Sequence, residues 1–428
     1  MKLRKLVALA LAGAMVLSLA ACGGGSEKET GKNNGDDKNP TTPAVKEDVT
    51  LTLWGAENDQ TLLREMCDAF IEANKDYVNL TIEIGVESES TAKDTILKDV
   101  QASADVYSFA SDQLNSLVAA GALMAIPEEM GLQDVIDRNT AGSVATATYT
   151  DGKVYAYPRT ADNGFFLFYD KSKFSEDDVK SWSAMLAKAA EHGKSVTMQM
   201  NSGWYLHGFY DAVGFDAGLA ENGKDTVCNW NGTVNGISGV QVTQAIIDIC
   251  KHSAFQVASD SEFVTGIKEG TIIAGVSGVW NAATATEVWG ENFGATILPT
   301  FTLNGEEKQM CSVMGSKLVG VNPYSKNAGW ALKLADWITN EENQIKSFEV
   351  NQTGPSNIKA ASSDAVKTNT AIVAFTAQQE FASLQVVGDN FWGATESFGQ
   401  ILQTGNPDGI DLQTLLDNMV AGVTAPIE

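Results

Sequence analysis

Apolar residues recur along this chain in two alternating rhythms. Val49–Trp54 is apolar at every second position, the period of a half-buried strand. Gln60–Asn74 follows, with Leu63, Met66, Phe70 and Ile71 at helical spacing. Leu80–Val86 predicts a second strand, Ala92–Val100 a second helix and Asp105–Phe109 a third strand. Asp112 then stands where an N-cap oxygen would satisfy the open donors of the next helix. The second half repeats the style, with helices over Trp182–His192, Val240–His252, Ser261–Glu269 and Ala328–Thr339, and strands over Val196–Met200 and Leu318–Val321. Strands and helices alternating in this way predict an α/β protein with a parallel, doubly wound sheet.

The stretch 272–280, Ile-Ile-Ala-Gly-Val-Ser-Gly-Val-Trp, adds chemistry to that pattern. Its β-branched start suits a buried strand. Gly275 and Gly278 let the backbone turn and approach something closely. Open α/β sheets bind ligands at the carboxyl ends of their strands. Trp280 is therefore either a core ring or a flat aromatic face delivered to a cleft, and Trp54, ending the first strand, has the same two readings. Trp330 and Trp337, seven apart on one helix face, and Trp182, at a helix start, predict core positions. Trp230, in a polar turn, fits either role.

The chain opens with an address. Lys2, Arg4 and Lys5 precede an apolar run, Leu6–Leu19, too short for an ordinary membrane-spanning helix. Residues 1–21 predict a signal peptide, because Leu19-Ala-Ala-Cys22 resembles a bacterial lipobox whose cysteine takes a diacylglycerol. Acyl chains on Cys22 would hold the protein on the outer face of a cell membrane. Residues 22–48 are polar and predict a flexible tether. The rest, roughly 380 residues, exceeds one hydrophobic core and predicts two lobes.

A formal charge of −25 argues against nucleic acid and against direct adhesion to anionic lipid. Cys67, Cys228, Cys250 and Cys311 show no metal-type spacing. Cys67 and Cys250 sit on apolar helical faces, and a Cys228–Cys250 disulfide stays open. With only three histidines, a zinc or triad enzyme is disfavoured, and no cofactor is expected.

Four motifs, in order, carry a family resemblance. They are Asp105-Val-Tyr-Ser-Phe-Ala-Ser-Asp112, Tyr157-Pro158 with Phe166–Phe174, Gly278-Val-Trp280 with Ile297–Phe301, and Trp330–Gln344 with Gln352-Thr-Gly-Pro355. Together they resemble the extracellular sugar-binding proteins of ABC importers, the maltose/maltodextrin-binding group in particular. The resemblance implies a two-lobed periplasmic-binding-protein-like fold (type II), with the ligand cleft between lobes joined by hinge crossovers. The lobes would comprise 49–159 plus 316–358 and 160–315 plus 359–428. The crossovers fall near Arg159–Asn163, Ser312–Ser316 and Pro355–Ala361.

Carried over by position, the resemblance implies an aromatic face of Trp204, Trp280 and Trp392, with Tyr205 beside the first. On the opposite lobe it implies an aromatic at Phe109 and a hydroxyl-binding aspartate at Asp112. Gln113 departs from the arginine of the best-known members, and the acidic position near the first crossover falls on Asp162 or Asn163. Polar residues after the first strand fall at Asn58 and Asp59. Such a set suits a pyranose, whose C–H face packs on indoles and whose hydroxyls donate to carboxylates.

The implied function is capture of an oligosaccharide, a maltooligosaccharide in the first instance, and delivery to an ABC permease by a monomeric, lipid-anchored protein on a bacterial cell surface. The alternatives are a binder of another sugar or small solute and, from another class, an exported glycosidase with two carboxylates flanking the bond. The family implied is non-catalytic.

Overall fold

Two five-stranded sheets carry the fold. The computed structural model describes residues 46–384 and 386–427, so the signal-like segment, Cys22 and nearly all of the tether lie outside the described residues. The first sheet runs Val78–Val86, Glu47–Gly55, Val106–Ala110, Lys317–Val321, Ala156–Pro158. Its strand Glu47–Gly55 starts two residues ahead of the expected Val49, and Val49, Leu51 and Leu53 alternate into the core. The second sheet runs Phe255–Gln256, Ser195–Thr197, Ile272–Ser277, Phe166–Asp170, Phe293–Thr296.

Neither sheet is wholly parallel, which corrects the sequence expectation. Lys317–Val321 is antiparallel to both its neighbours, and so is Phe166–Asp170 in the other sheet. Each of these two strands receives the chain from the opposite sheet. It is not the return stroke of a strand–helix–strand unit, so the crossover geometry that enforces parallel pairing does not apply.

Phe166–Asp170 is buried at every position. Phe165, Leu167 and Tyr169 point into one apolar cluster, whereas Phe166 and Phe168 enter another. The sheet is therefore covered on both faces, which is why the segment reads as a continuous apolar run. Helix Gln60–Asn74 packs against helix Ala328–Ile338, where Trp337 Nε1 donates to the Met66 carbonyl at 3.0 Å and its ring lies 5.8 Å from Phe70. Trp182 is buried as expected. Trp230, open in the sequence, is core: it stacks on Tyr210 at 4.1 Å with the planes 4° apart. Cys67, Cys228, Cys250 and Cys311 are all free thiols.

The chain passes between the two sheets through segments 159–165 and 312–316, and a third segment, 352–357, leads on to helices that pack on the second sheet's side. These passages are hydrogen-bonded to one another. Asn163 N donates to Gly315 O at 3.1 Å, Ala161 N to Gly354 O at 2.9 Å, and Arg159 N to Lys317 O at 2.9 Å. Two glycines make the approach feasible, since a Cβ at Gly315 would lie 2.6 Å from Asn163 O and one at Gly354 2.8 Å from Asp162 Cβ.

Removing the Trp230 ring leaves a void between Tyr210 and Phe391. Trp230→Ala is expected to destabilise the protein by about 3–5 kcal/mol, the cost of a large core truncation, read as a lower denaturation midpoint.

Candidate functional site

A cavity of about 440 Å³ lies between the two sheets, lined by residues from both and by the crossovers. Three half-buried indoles, Trp204, Trp280 and Trp392, are contributed by the second sheet's side. Trp280 occupies a single turn after strand Ile272–Ser277, and its six-membered ring packs against Gly278, where any Cβ would collide with it. Trp204 opens helix Gly203–Asp211, its ring 5.8 Å from that of Trp280 with the planes 43° apart. Trp392 stands near the start of helix Asn390–Gln403. Those two helices touch where Gly203 meets Thr395, a contact with no room for a Cβ, so the two tryptophans are brought to one wall by a glycine.

The opposite wall is polar. Asn58, Ser88, Glu89, Ser90 and Asp112 come from the carboxyl ends of the first sheet's strands, with Asn163 and Lys317 at the crossovers. Asp260, from the helix Asp260–Lys268, joins the aromatic side. It accepts from Asn281 Nδ2 at 2.9 Å and Ser277 Oγ at 3.2 Å, and the Trp280 indole N–H lies toward it without closing a hydrogen bond. Burial pushes the carboxyls of Asp112 and Asp260 above the ordinary range. Both are part-buried in the cavity lining, where a ligand hydroxyl can donate to them.

Eight residues expected from the sequence therefore meet at one cavity: Trp204, Tyr205, Trp280, Trp392, Asn58, Asp112, Gln113 and Asn163. Their roles differ from expectation in several cases. Asp112 does not cap a helix; helix Leu114–Ala119 starts after a single turn over Ser111–Gln113 with no side-chain cap, and the Asp112 carboxylate is left to the cavity. Gln113 has its amide fully committed: Oε1 accepts from Lys93 N at 2.9 Å, and Nε2 donates to the carbonyls of Glu89 at 2.7 Å and Ser90 at 3.0 Å. It is a brace for the 88–90 loop.

Four other expectations are corrected. Phe109 is wholly buried in the first sheet's core, 6.3 Å from the Tyr107 ring, because its strand is covered on both faces and a side chain on either face is buried. Trp54 leans on Gly85 of the neighbouring strand and packs against the same core, outside the cavity lining. Asp162 is buried among the crossovers and accepts from Gly354 N, while its neighbour Asn163 reaches the cavity. Asp59 is buried in an ion pair with Arg159, Oδ2 to Nη1 2.7 Å, and also accepts from Asn351 Nδ2 at 2.6 Å.

Sequence reading missed Glu89, Asp260 and Lys317. The signals were present: Glu87-Ser-Glu-Ser90 is a polar run at a strand's carboxyl end, and Lys317 is a lone charge entering an apolar strand. Asp260 was hidden inside the Ser259–Glu262 capping box, which reads as helix start and nothing more.

A second cavity, of about 550 Å³, lies against the same crossovers, bounded by Met314, Pro355, Ile372 and Phe375. Its lining is mostly apolar, has Lys367 as its charged member and includes no carboxylate or indole. The smaller cavity is the one equipped for a polyhydroxyl ligand. A cross-lobe contact lies close to it, where Asp389 Oδ1 accepts from Lys93 Nζ at 2.8 Å and from Ser116 Oγ at 2.9 Å.

Two α/β lobes strapped by three crossovers around an aromatic and carboxylate-lined cleft define a two-lobed solute-binding protein of type II fold. The chain belongs to the bacterial extracellular solute-binding protein family, whose model matches residues 65–374. The galactooligosaccharide-binding protein of Bacillus subtilis (strain 168) is 25% identical over 421 residues, spanning 93% of this chain and 92% of that one. A solved structure with acarbose is 31% identical with a TM-score of 0.80, covering 88% of this chain and 99% of its own. The maltodextrin-binding protein of L. casei BL23, without ligand, has 23% identity, a TM-score of 0.74, and coverage of 89% and 100%. This last likeness is one of fold. Among the described residues no helix is long and apolar enough to cross a membrane, and no His, Cys, Asp and Glu group could hold a metal ion.

The Asp59–Arg159 pair adjoins the site through Glu89, 3.7 Å from Arg159 Nη1. Burial pulls the Asp59 carboxyl upward, yet Arg159 and Lys317 together with the Asn351 hydrogen bond hold it below the ordinary range. A depressed carboxyl contributes stability that is complete above its unfolded pKa of about 3.9 and is lost as pH falls through the lower folded value. Arg159→Met should cost about 3–5 kcal/mol at neutral pH, since it strands Asp59 and Glu89 without their cation. It should also erase the part of the acid-unfolding limb below about pH 4 that Asp59 supplies. Chemical denaturation across pH 2–7 measures both effects; an unchanged acid limb would refute the assignment.

Proposed function

We propose that this protein captures an oligosaccharide in the cleft, closes on it about the three crossovers, and delivers it to an ABC transporter permease. The observation that carries the reading is the triplet Trp204, Trp280 and Trp392 on one wall of the cavity that Asp112, Glu89 and Asn58 line from the other side. Sugar rings have an apolar face for indoles and a hydroxyl rim for carboxylates, and several indoles in one cavity suit more than one ring. The named relatives support a sugar as the ligand class, namely the galactooligosaccharide-binding protein and the structure with acarbose. No bond is made or broken in this reading.

We take α-1,4-linked glucose as the first candidate, since its curved chain presents successive apolar faces to an aromatic wall. A galactose-containing oligosaccharide is the second, favoured by the Bacillus subtilis relative. Calorimetry with maltotriose, galactotriose and cellotriose side by side separates them, and a trisaccharide that fits should bind at micromolar levels or tighter, about −8 kcal/mol. Tightest binding of galactotriose moves the assignment to the second reading, and no binding by any of the three overturns the sugar reading.

Trp280→Ala and Trp392→Ala should each weaken binding of the preferred trisaccharide by about 2 kcal/mol, roughly thirtyfold, as expected for central aromatic anchors. Trp337→Ala, outside the cavity lining, should lower stability and leave affinity intact. Native affinity in both cavity variants would place the ligand elsewhere.

We further propose that Cys22 carries the lipid that holds the protein on the cell surface. Cys22→Ala should shift the protein from the detergent phase to the aqueous phase in partitioning, without change in sugar affinity. Retention in the detergent phase would refute the anchor.

A further inference from the structure

Glu89 and Lys317 face each other at the crossover end of the cavity, and neither is satisfied. Glu89 lies in the loop after strand Val78–Val86, fixed by its backbone: its carbonyl accepts from Ala110 N at 3.1 Å and from Gln113 Nε2 at 2.7 Å. Its side chain is 7% exposed, yet Oε1 has no hydrogen-bond partner. The nearest cations stand off, with Arg159 Nη1 at 3.7 Å from Oε1 and Lys317 Nζ at 3.8 Å from Oε2. Both distances exceed hydrogen-bond range. Arg159 is already engaged with Asp59 at 2.7 Å. Lys317 is held by its backbone, whose N–H donates to Thr160 Oγ1 at 3.1 Å, and its ammonium makes no hydrogen bond among the described residues.

The orphaned Oε1 is turned toward Arg159, while Oε2 and the Lys317 ammonium, whose side chain is 19% exposed, face each other without a protein hydrogen bond among the described residues and are left to water or a ligand. A hydroxyl resolves both at once, because it accepts from the ammonium and donates to the carboxylate. A charged ligand group fits less well. Between the two side chains a carboxylate would meet Glu89, and an amine would meet Lys317.

We propose that Glu89 and Lys317 are a specificity pair that reads one particular hydroxyl of the bound sugar, while the tryptophans grip any pyranose face. The proposal rests on the oligosaccharide reading above and adds to it which residues discriminate. A site built to hydrogen-bond a hydroxyl rejects the analogue that lacks it, because its own polar groups are then left unpaired.

The test uses maltotriose and a set of maltotriose analogues each lacking a single hydroxyl, titrated calorimetrically into the unaltered protein, Lys317→Met and Glu89→Gln. If galactotriose is the sugar that binds, its own deoxy set replaces the maltotriose set. The unaltered protein should bind one analogue at least tenfold more weakly than the parent. Lys317→Met should bind the parent at that weakened level and lose the difference between the two. Glu89 also neighbours Arg159, so Glu89→Gln is scored only if its thermal midpoint stays near that of the unaltered protein; Lys317→Met decides the matter otherwise.

The proposal is overturned if the unaltered protein binds every deoxy analogue within threefold of the parent. It is equally overturned if the variants weaken all sugars alike and keep the original ranking, which is what a merely structural role would give. Failure of the unaltered protein to bind any oligosaccharide would instead remove the reading beneath it.

Discussion

Arg159 carries a full positive charge into the join between the lobes, where 2% of its side chain reaches water, and Asp59 answers it at 2.7 Å. An unpaired charge there would cost several kcal/mol, so the position of each partner is tightly coupled to the other. Asp59 sits at the carboxyl end of the first strand, just before helix Gln60–Asn74, and Arg159 opens the first crossover. Their pairing ties the edge of the cleft to the segment about which the lobes join. Glu89 lies in the same field, 3.7 Å from Arg159, and Lys317 lies 3.8 Å from Glu89. The electrostatics of the cavity end and the integrity of the crossovers are one problem, solved by one group of side chains.

The aromatic wall depends on a different constraint, close approach of backbone. The Trp280 ring needs the bare Cα of Gly278 beneath it, and helix Gly203–Asp211 needs Gly203 to reach Thr395 and bring Trp204 and Trp392 together. These contacts leave the indoles half-buried, with rigid support behind and the cavity in front. Support of this kind keeps flat faces in place without ligand, so less ordering entropy is lost when one arrives.

How much of this could be read from the chain follows from what each feature depends on. Helix Gln60–Asn74 was legible to the residue because its apolar stripe and the element coincide. The indoles of the cleft were legible because strand ends and helix starts are visible locally, and family motifs placed them. Phe109 and Asp112 look equivalent in sequence, three positions apart, but one lies within a strand covered on both faces and the other in the turn beyond it. Only the sheet order decides between them. Asp59 failed for a related reason: its partner is 100 residues away, and a buried ion pair across that distance leaves no local mark. The mixed sheets were invisible for the same cause, since the direction of Lys317–Val321 depends on which lobe the chain arrives from.

The strength of the cross-lobe contact near the cavity sets a limit on what holds the two lobes at this spacing. Asp389 reaches Lys93 and Ser116 from the far side, but it is 44% exposed, and exposed ion pairs contribute about 0–1 kcal/mol. That is too little to fix a two-lobed protein in one arrangement. The cavity walls have far more to give. Its indoles come from one lobe, and most of its polar side chains come from the other lobe and the crossovers. A ligand that touches both walls makes its full set of contacts only when they stand this close, and a ligand shifts a conformational balance only by such a difference. In the capture proposed here, the sugar itself would therefore be the main tie between the lobes, with Asp389 as a minor one.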